Sequence, residues 1–185
     1  MPKILYIHGF KSTGNARKAQ ILRKKFDNVF SYTMPISPYE AIEFLEKNIK
    51  KDKIDLIIGS SLGGFYAYVM FKKFGIKTIL INPSLKPYET LKNQTGTHQR
   101  FVTNDTFEWT ESYNNELEQI AKEIENIPIN ENLLNFFIAT DDELLEHSEI
   151  PVKFNKSNII YYDNVGHQFT SFLKTINEIK QIINN

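Results

Sequence analysis

A short glycine- and serine-rich turn, Gly59–Gly64, lies between two apolar segments of different character. Residues 54–58 before it are mostly β-branched or leucine, which is typical of a strand covered on both faces. Residues 62–74 after it carry apolar side chains at helical spacing. A strand that enters a helix through so tight a turn needs glycines, because side chains would obstruct the close packing of the backbone. The segment therefore predicts a strand–turn–helix unit.

The same alternation of strand and helix patterns runs along the chain. The strand candidates are Lys3–Ile7, Val29–Thr33, Ile54–Ile58, Thr78–Ile81, Leu134–Ala139 and Asn158–Tyr162. Helical patterns cover residues 15–26, 38–51, 62–74, 114–126 and 169–184. This order favours an α/β fold with a mostly parallel sheet of about six strands and helices on both faces. A length of 185 residues suits one domain, 1–185.

Residues 86–115 do not follow this alternation of strand and helix patterns. They are mostly polar, contain Gly96 and carry scattered aromatic side chains. A loop of this length in a compact domain is usually functional or covers something. We therefore expect an irregular segment that forms a partial cap over the functional site.

Composition removes several classes of protein. The chain has no cysteine, which excludes disulfides, thiolate catalysis and thiolate zinc sites. Its 22 basic and 22 acidic residues balance, whereas nucleic-acid binders usually carry a net basic face. No apolar run approaches the roughly 18 residues of a membrane span, and the N-terminus lacks the pattern of a signal peptide. We expect a cytoplasmic protein that binds no nucleic acid and has no membrane span.

The glycine-rich turn contains the pattern Gly-x-Ser-x-Gly with Ser61 at its centre. In α/β-hydrolases this pattern forms a sharp turn that exposes a nucleophilic serine at the end of a strand. The helix that follows would place its N-terminus beside the negative charge that develops during attack. The alternative is a loop that binds phosphate at a helix N-terminus. It is disfavoured because this turn lacks the Lys-Ser/Thr pair of a P-loop.

An oxyanion hole needs two backbone N–H groups that face the reacting oxygen. One donor is the residue after the nucleophile, Leu62. The first strand ends in His8, Gly9 and Phe10, and the glycine allows that loop to come close. We therefore predict Phe10 and Leu62 as the donors. The alternative is that the loop is an ordinary strand-to-helix turn.

Four histidines are candidates for the base. His8 precedes the oxyanion loop and is expected to order it, His98 lies in the irregular segment, and His147 lies on a polar stretch. His167 follows the last strand candidate, and only this position leaves room for an acid after Ser61 in the order serine, acid, histidine. We predict His167 as the base, with a surface histidine at a helix start as the alternative.

The acid is expected after the strand candidate that ends at Ala139. There the chain offers three adjacent carboxylates, Asp141, Asp142 and Glu143. Asp142 is favoured and Asp141 is the alternative, whereas Asp163 is too close to the base in sequence. The acid would hold the imidazole in its correct tautomer. One of the three carboxylates is also expected to cap a helix over Leu144–His147.

Three segments together resemble the YqiA/YcfP-like esterases, which are small bacterial α/β-hydrolases. They are Leu5–Ser12, Gly59–Ala67 and Asn82–Pro87. Thr140–Glu143 and Gly166–Phe169 are similar to the acid and base segments of that family, although Gly166 replaces an asparagine. The resemblance covers nearly the whole chain, and its weakest part is residues 97–113.

The resemblance implies a three-layer α/β-hydrolase fold with a reduced sheet. It also implies Ser61 as nucleophile, Asp142 as acid and His167 as base. The expected activity is hydrolysis of short to medium acyl esters, with acyl thioesters as an extension, and without a metal or organic cofactor. The rival hypotheses are a catalytically inactive binding or regulatory protein with the same fold, and acyl transfer to an acceptor other than water. The sequence specifies no oligomeric state.

Overall fold

The computed structural model describes residues 1–184. Its eight strands are β1 (Ile4–Ile7), β2 (Val29–Phe30), β3 (Leu56–Ser60), β4 (Lys77–Ile81), β5 (Gly96–Gln99), β6 (Thr106–Trp109), β7 (Leu134–Ala139) and β8 (Asn158–Tyr162). Six of them form one sheet in the order β2-β1-β3-β4-β7-β8, and every neighbouring pair in it is parallel. The predicted parallel sheet of six strands is confirmed.

The helices are α1 (Arg17–Lys25), α2 (Pro38–Asp52), α3 (Leu62–Phe74), α4 (Pro87–Thr90), α5 (Glu111–Ile124), α6 (Ile150–Lys153) and α7 (Ile176–Asn184). Helices α2, α3 and α5 cover one face of the sheet, and α1 and α7 cover the other. The pleat divides each strand between these layers, so in β3 Ile57 packs on one side while Leu56 and Ile58 pack on the other. Across residues 1–184, no helix is both long enough and apolar enough to cross a membrane.

Helix α3 is the most buried helix of the domain. Every residue from Leu62 to Phe71 is buried, although the sequence pattern predicted apolar residues along one side only. The helix packs against β3 and β4 of the sheet and against α2 and α5, which buries it up to Phe71, whereas its last turn reaches water at Lys73. It ends at Phe74 with Gly75 in the left-handed conformation (φ +63°), as the sequence predicts.

The predicted strand Val29–Thr33 is too long, because only Val29 and Phe30 pair with β1. Beyond Phe30 the chain packs against the loop after β1 instead of continuing along the sheet. The Thr33 hydroxyl oxygen accepts the Gly14 N–H at 3.1 Å, and a Cβ on Gly14 would lie only 2.5 Å from the Tyr32 carbonyl carbon.

The predicted helix over residues 169–184 is also too long. Regular α-helix begins at Ile176, after a 3₁₀ turn over Phe172–Thr175. Phe169 has a φ of +54°, which a right-handed helix cannot include. The residue instead closes a turn in which its N–H donates to the Gly166 carbonyl oxygen at 3.1 Å. The smaller difference at α5, which begins three residues before the predicted start, changes no contact of the site.

The segment 86–115 is not an irregular loop. It contains α4, the antiparallel hairpin of β5 and β6, and the start of α5. The hairpin packs against the loop after β1, where the Phe10 ring lies edge-on to three hairpin rings with centroid distances of 5.1 to 5.6 Å. These rings belong to His98, Phe107 and Trp109. The Arg100 guanidinium also stabilises the packing of the hairpin on this loop, because it donates to the Ser12 carbonyl oxygen at 2.7 Å.

Candidate active site

Ser61 lies between β3 and α3 with a φ of +56° and a ψ of −122°, a conformation that side chains rarely adopt. The flanking glycines make this turn possible. A Cβ on Gly59 would lie 2.2 Å from the Gly63 carbonyl oxygen, and a Cβ on Gly63 would lie 2.2 Å from the Ile7 carbonyl oxygen. The Ser61 N–H is held by the carbonyl oxygen of Ile81 at 3.1 Å. The expected role of the two glycines in close packing is confirmed.

The structure brings together Ser61, His167 and Asp142, the three residues predicted as a triad. The Ser61 hydroxyl oxygen lies 3.0 Å from Nε2 of His167. The other ring nitrogen, Nδ1, lies 2.9 and 3.0 Å from the two carboxylate oxygens of Asp142. Because a carboxylate can only accept, Nδ1 carries the proton and Nε2 is free to accept the serine proton.

Asn82 fixes the loop that carries His167. Its Nδ2 donates to the carbonyl oxygens of Gly166 and His167, both at 3.1 Å. Its Oδ1 accepts the Ala139 N–H at 2.8 Å. Asn82 is fully buried and has a φ of +40°, so its place at the end of β4 is tightly determined. One side chain thus links the ends of two neighbouring strands to the histidine loop.

The two carboxylates that flank Asp142 bind the backbone of the same loop. Oδ1 of Asp141 accepts the N–H groups of Val165 and Gly166, each at 3.1 Å. These bonds, the Gly166 bond first, lower the pKa of Asp141. Oε2 of Glu143 accepts the His167 N–H at 2.8 Å. In this geometry both side chains bind the loop backbone, and Asp142 is the carboxylate that contacts the imidazole.

The remaining acidic candidate, Asp163, lies at the end of β8 and accepts the Thr140 hydroxyl proton at 2.6 Å. That bond links the ends of β7 and β8. Its partner is therefore a threonine, and the structure places no bond between Asp163 and the His167 imidazole.

Asp142 is the most enclosed carboxylate of the cluster, with 2% of its side chain exposed. Oδ1 also accepts the N–H groups of Leu144 and Leu145 at 2.9 and 3.0 Å, and Oδ2 lies 2.9 Å from Nε2 of His147. Burial raises the pKa of Asp142, but the bonds from His147, His167 and the Leu144 N–H outweigh it and hold the pKa well below its usual value. The expected helix over Leu144–His147 is absent, because the chain makes a turn there that Asp142 itself closes.

Phe10 and Leu62, the predicted oxyanion donors, both line the cleft that contains Ser61. The loop after β1 comes close, since a Cβ on Gly9 would lie 3.1 Å from the Ser61 Cβ. Among residues 1–184, neither the Phe10 N–H nor the Leu62 N–H donates to another protein group. The N–H groups of both predicted donors therefore have no protein acceptor in this part of the chain.

His8 bonds the backbone on both sides of the loop after β1, which is consistent with the ordering role expected from the sequence. Its Nδ1–H donates to the Gly9 carbonyl oxygen at 2.8 Å, and its Nε2 accepts the Met34 N–H at 3.1 Å. Both nitrogens are thus used by a neutral ring. Burial lowers the pKa of His8 to about 4, with the Gly9 bond opposing and the Arg100 charge adding to the shift.

The neutral state of His8 predicts a loss of stability in acid. The pKa is about 4 in the folded protein and about 6.5 when unfolded, so the unfolded chain takes up the proton first as the pH falls. Neutral His8 therefore contributes about 3 kcal/mol to the free energy of unfolding. This contribution is complete above pH 6.5 and is lost between about pH 6.5 and 4. We expect the free energy of unfolding, measured with urea, to fall between about pH 7 and 4.5 by about 2 kcal/mol more in the wild type than in His8→Gln. An equal pH dependence of the two proteins would contradict the assignment.

A cleft of about 730 Å³ opens over Ser61 and His167. Among its apolar side chains are five from the end of α4, from the hairpin turn and from the turn after Asp142: Leu91, Phe101, Val102, Leu144 and Leu145. Three of these are markedly exposed, at 69% for Phe101, 45% for Val102 and 67% for Leu144. The cleft can therefore receive an apolar group beside the serine.

Basic groups line the same cleft at the start of α1. Lys18 donates to the Gln168 carbonyl oxygen at 2.7 Å, next to the histidine loop. Burial, together with the positive charge of Arg17, lowers the pKa of Lys18 to about 8. This contact joins α1 to the loop that carries His167.

Three residues of this site carry no role in the predictions from sequence: Asn82, Glu143 and His147. Asn82 had a usable signal, because it directly follows a buried strand within a segment that resembles the esterase family. Glu143 was visible only as a neighbour of the favoured acid. His147 had no signal, since its contact with Asp142 depends on the path of an irregular turn.

The fold resembles solved structures over nearly its whole length. A monoacylglycerol lipase from Paleococcus ferrophilus superimposes with a TM-score of 0.69 at 13% identity, covering 98% of this chain and 93% of that chain. Est1E from Butyrivibrio proteoclasticus gives 0.66 at 14% identity, covering 100% and 89%. The mouse alpha/beta hydrolase domain-containing protein 10 gives 0.70 at 18% identity, covering 100% and 90%. The chain therefore has the α/β-hydrolase fold.

A family model described as "Uncharacterised protein family (UPF0227)" matches residues 3–184, and the chain belongs to that family. A UPF0227 protein of Serratia proteamaculans is 31% identical over 100 residues, which cover 49% of this chain and 56% of that protein. Another, from Pasteurella multocida, is 32% identical over 102 residues, covering 50% and 55%. The matched region spans just over half the length of these curated relatives. The resemblance to YqiA-like proteins is confirmed.

Proposed function

We propose that this protein is a serine hydrolase that cleaves carboxylic esters through an acyl-enzyme on Ser61. The observation that carries the proposal is the unbroken chain of hydrogen bonds from the Ser61 hydroxyl through His167 to Asp142, with heavy-atom distances of 2.9 to 3.0 Å. A base must lie within hydrogen-bond reach of the proton that it removes, and His167 does.

In the first half of the reaction, Oγ of Ser61 attacks the ester carbonyl carbon while Nε2 of His167 takes the hydroxyl proton. The carbonyl electron pair moves onto its oxygen, which would accept from the N–H groups of Phe10 and Leu62. The bond to the leaving alcohol oxygen then breaks, and His167 returns its proton to that oxygen. Asp142 stabilises the imidazolium that exists between these two transfers.

In the second half, water attacks the acyl-enzyme carbonyl carbon, and His167 takes a proton from the water. Collapse of the second tetrahedral intermediate breaks the bond to Oγ, and the same proton returns to Ser61. Acid and regenerated enzyme are the products. The charge on the carbonyl oxygen develops at the same position in both halves, so one pair of backbone donors would serve both.

The contacts of Phe10 support its proposed role. Its ring is enclosed by aromatic side chains of the β5–β6 hairpin, and the Phe101 N–H donates to the Lys11 carbonyl oxygen at 2.9 Å. The hairpin therefore holds the loop that carries one oxyanion donor. The same hairpin contributes Phe101 and Val102 to the cleft, which supports the expected partial cap over the site.

The cleft supports short to medium acyl esters as substrates. The apolar side chains beside Ser61 would bury an acyl chain, and each buried CH₂ group is worth about 0.8 kcal/mol. Two solved structures with this fold are named as a monoacylglycerol lipase and an esterase domain, which is consistent with an ester substrate. Acyl thioesters would fit the same chemistry, because only the leaving atom differs.

The proposal is tested with p-nitrophenyl acetate, butyrate and octanoate. We expect saturable hydrolysis of all three, with kcat/KM rising from acetate to octanoate by about tenfold or more because the longer chain buries more apolar surface in the cleft. Labelling of Ser61 by a fluorophosphonate probe is measured in parallel. The absence of both hydrolysis and labelling would favour a binding or regulatory protein, and efficient acyl transfer to an added alcohol would favour the acyltransferase alternative.

A further inference from the structure

Asp142 accepts hydrogen bonds from two histidines. Its Oδ2 lies 2.9 Å from Nδ1 of His167 and also 2.9 Å from Nε2 of His147. His147 is enclosed as well, with 7% of its side chain exposed. The two rings meet at one carboxylate oxygen, and only the first of them reaches Ser61.

We propose that His147 is a positioning residue for Asp142, which it holds in the orientation that faces His167. This role rests on the proposed function, in which Asp142 supports the base. Since the ionised carboxylate can only accept, His147 carries a proton on Nε2 and donates it to Oδ2. Hydrogen bonds to a charged group are stronger than neutral ones, so this contact restrains the carboxylate effectively.

The other bonds of Asp142 show why a second donor matters. The N–H groups of Leu144 and Leu145 hold Oδ1, on one side of the carboxylate. Without His147, Oδ2 would have His167 as its only partner among residues 1–184. The carboxylate plane would then turn about the Cβ–Cγ bond together with the imidazole. Ser61 would meet a base whose direction is less well defined.

His147 also partly neutralises the negative charge of the Asp142 carboxylate. A donor on Oδ2 reduces the negative charge that the His167 imidazole experiences, so its loss should move the pH profile of kcat/KM toward higher pH. Other charged groups near His167 act on the loop backbone and stay in place: Asp141, Glu143 and Lys18. A change of the kinetic pKa on replacing His147 therefore reports the shared carboxylate.

The test compares His147→Phe, which fills the space without a donor, with His147→Gln, whose carboxamide nitrogen can replace Nε2. We expect kcat of the Phe variant on p-nitrophenyl butyrate to fall about tenfold to a hundredfold, with KM changed by less than about twofold. The pKa of kcat/KM should rise in the same variant. The Gln variant should regain most of kcat and a pKa close to that of the wild type.

A matched control lies one residue away. Oε1 of Glu146 accepts the Ser148 N–H at 3.1 Å and has no bond to Asp142, so Glu146→Ala disturbs the same turn without removing a donor from the carboxylate. We expect its kcat and pH profile to match those of the wild type. Equal losses in the Phe and Gln variants, with an unchanged pKa, would show that His147 serves only the stability of the turn and would overturn the proposal.

A measurement without substrate separates this inference from the proposed function. Proton NMR should show two strongly downfield imidazole N–H signals, from Nδ1–H of His167 and Nε2–H of His147. The Phe variant should lose one signal and shift the other, whereas the Gln variant should lose one and leave the other near its original position. An unshifted His167 signal in the Phe variant would overturn the proposal. Absence of hydrolysis by the wild type would instead contradict the proposed function.

Discussion

Replacing Ser61 by alanine should lower kcat for ester hydrolysis by about 10⁵- to 10⁶-fold. The reason is that the alanine side chain cannot form the acyl-enzyme, so only uncatalysed attack by water beside the oxyanion donors remains. The fold should persist, because alanine removes one hydroxyl group from a turn whose shape depends on the flanking glycines. The measurement is kcat on p-nitrophenyl butyrate, with Tm recorded for each protein.

A suitable control is Ser112→Ala, which removes an exposed hydroxyl at the start of α5 from a residue that does not line the cleft. Its kcat should equal that of the wild type. Retention of more than about 1% of the wild-type kcat by Ser61→Ala would mean that another group performs the attack, because loss of a nucleophile of this kind leaves far less activity.

Asp142→Asn should lower kcat by about 10⁴-fold, because an asparagine no longer selects the imidazole tautomer that leaves Nε2 free. Asp141→Asn and Glu143→Gln are the matched controls, since each neutralises a neighbouring carboxylate that binds only the backbone of the histidine loop. Their carboxamide oxygens can still accept those N–H groups, so we expect losses of less than about tenfold. A larger loss in Asp141→Asn than in Asp142→Asn would assign the acid to the other aspartate.

The parts of the fold that could be predicted depend on local patterns. The turn at Ser61 requires glycines within two residues on each side, and the strand and helix that flank it have clear apolar periodicity. The strand Leu134–Ala139 was predicted with its observed bounds for the same reason. The order serine, acid, histidine then indicated Ser61 and His167 as candidates.

The parts that were missed depend on contacts between distant segments. The β5–β6 hairpin has few apolar residues of its own, and its packing depends on the ring of Phe10 from the loop after β1. The last helix starts late because Phe169 adopts a positive φ beside the histidine loop. Neither feature leaves a periodic signal in the sequence.

The candidate site likewise combines features that local patterns predict with contacts that depend on distant segments. Three consecutive carboxylates have no pattern that separates them clearly. Asp142 was favoured over Asp141, and the resemblance to a family supported that choice. In the structure all three bind the loop of His167, two through its backbone and Asp142 through the imidazole. The contact of His147 with Asp142 arises from an irregular turn over residues 142–147, whose path no local rule determines.

The most direct test of the central claim is to trap the acyl-enzyme. The wild type is mixed with p-nitrophenyl acetate, quenched in acid within the first turnover, digested and mapped by mass spectrometry. We predict one acetyl group on the peptide that contains Ser61, and none on that peptide in Ser61→Ala. Hydrolysis that proceeds while the acetyl group lies on another residue, or on none, would contradict the account.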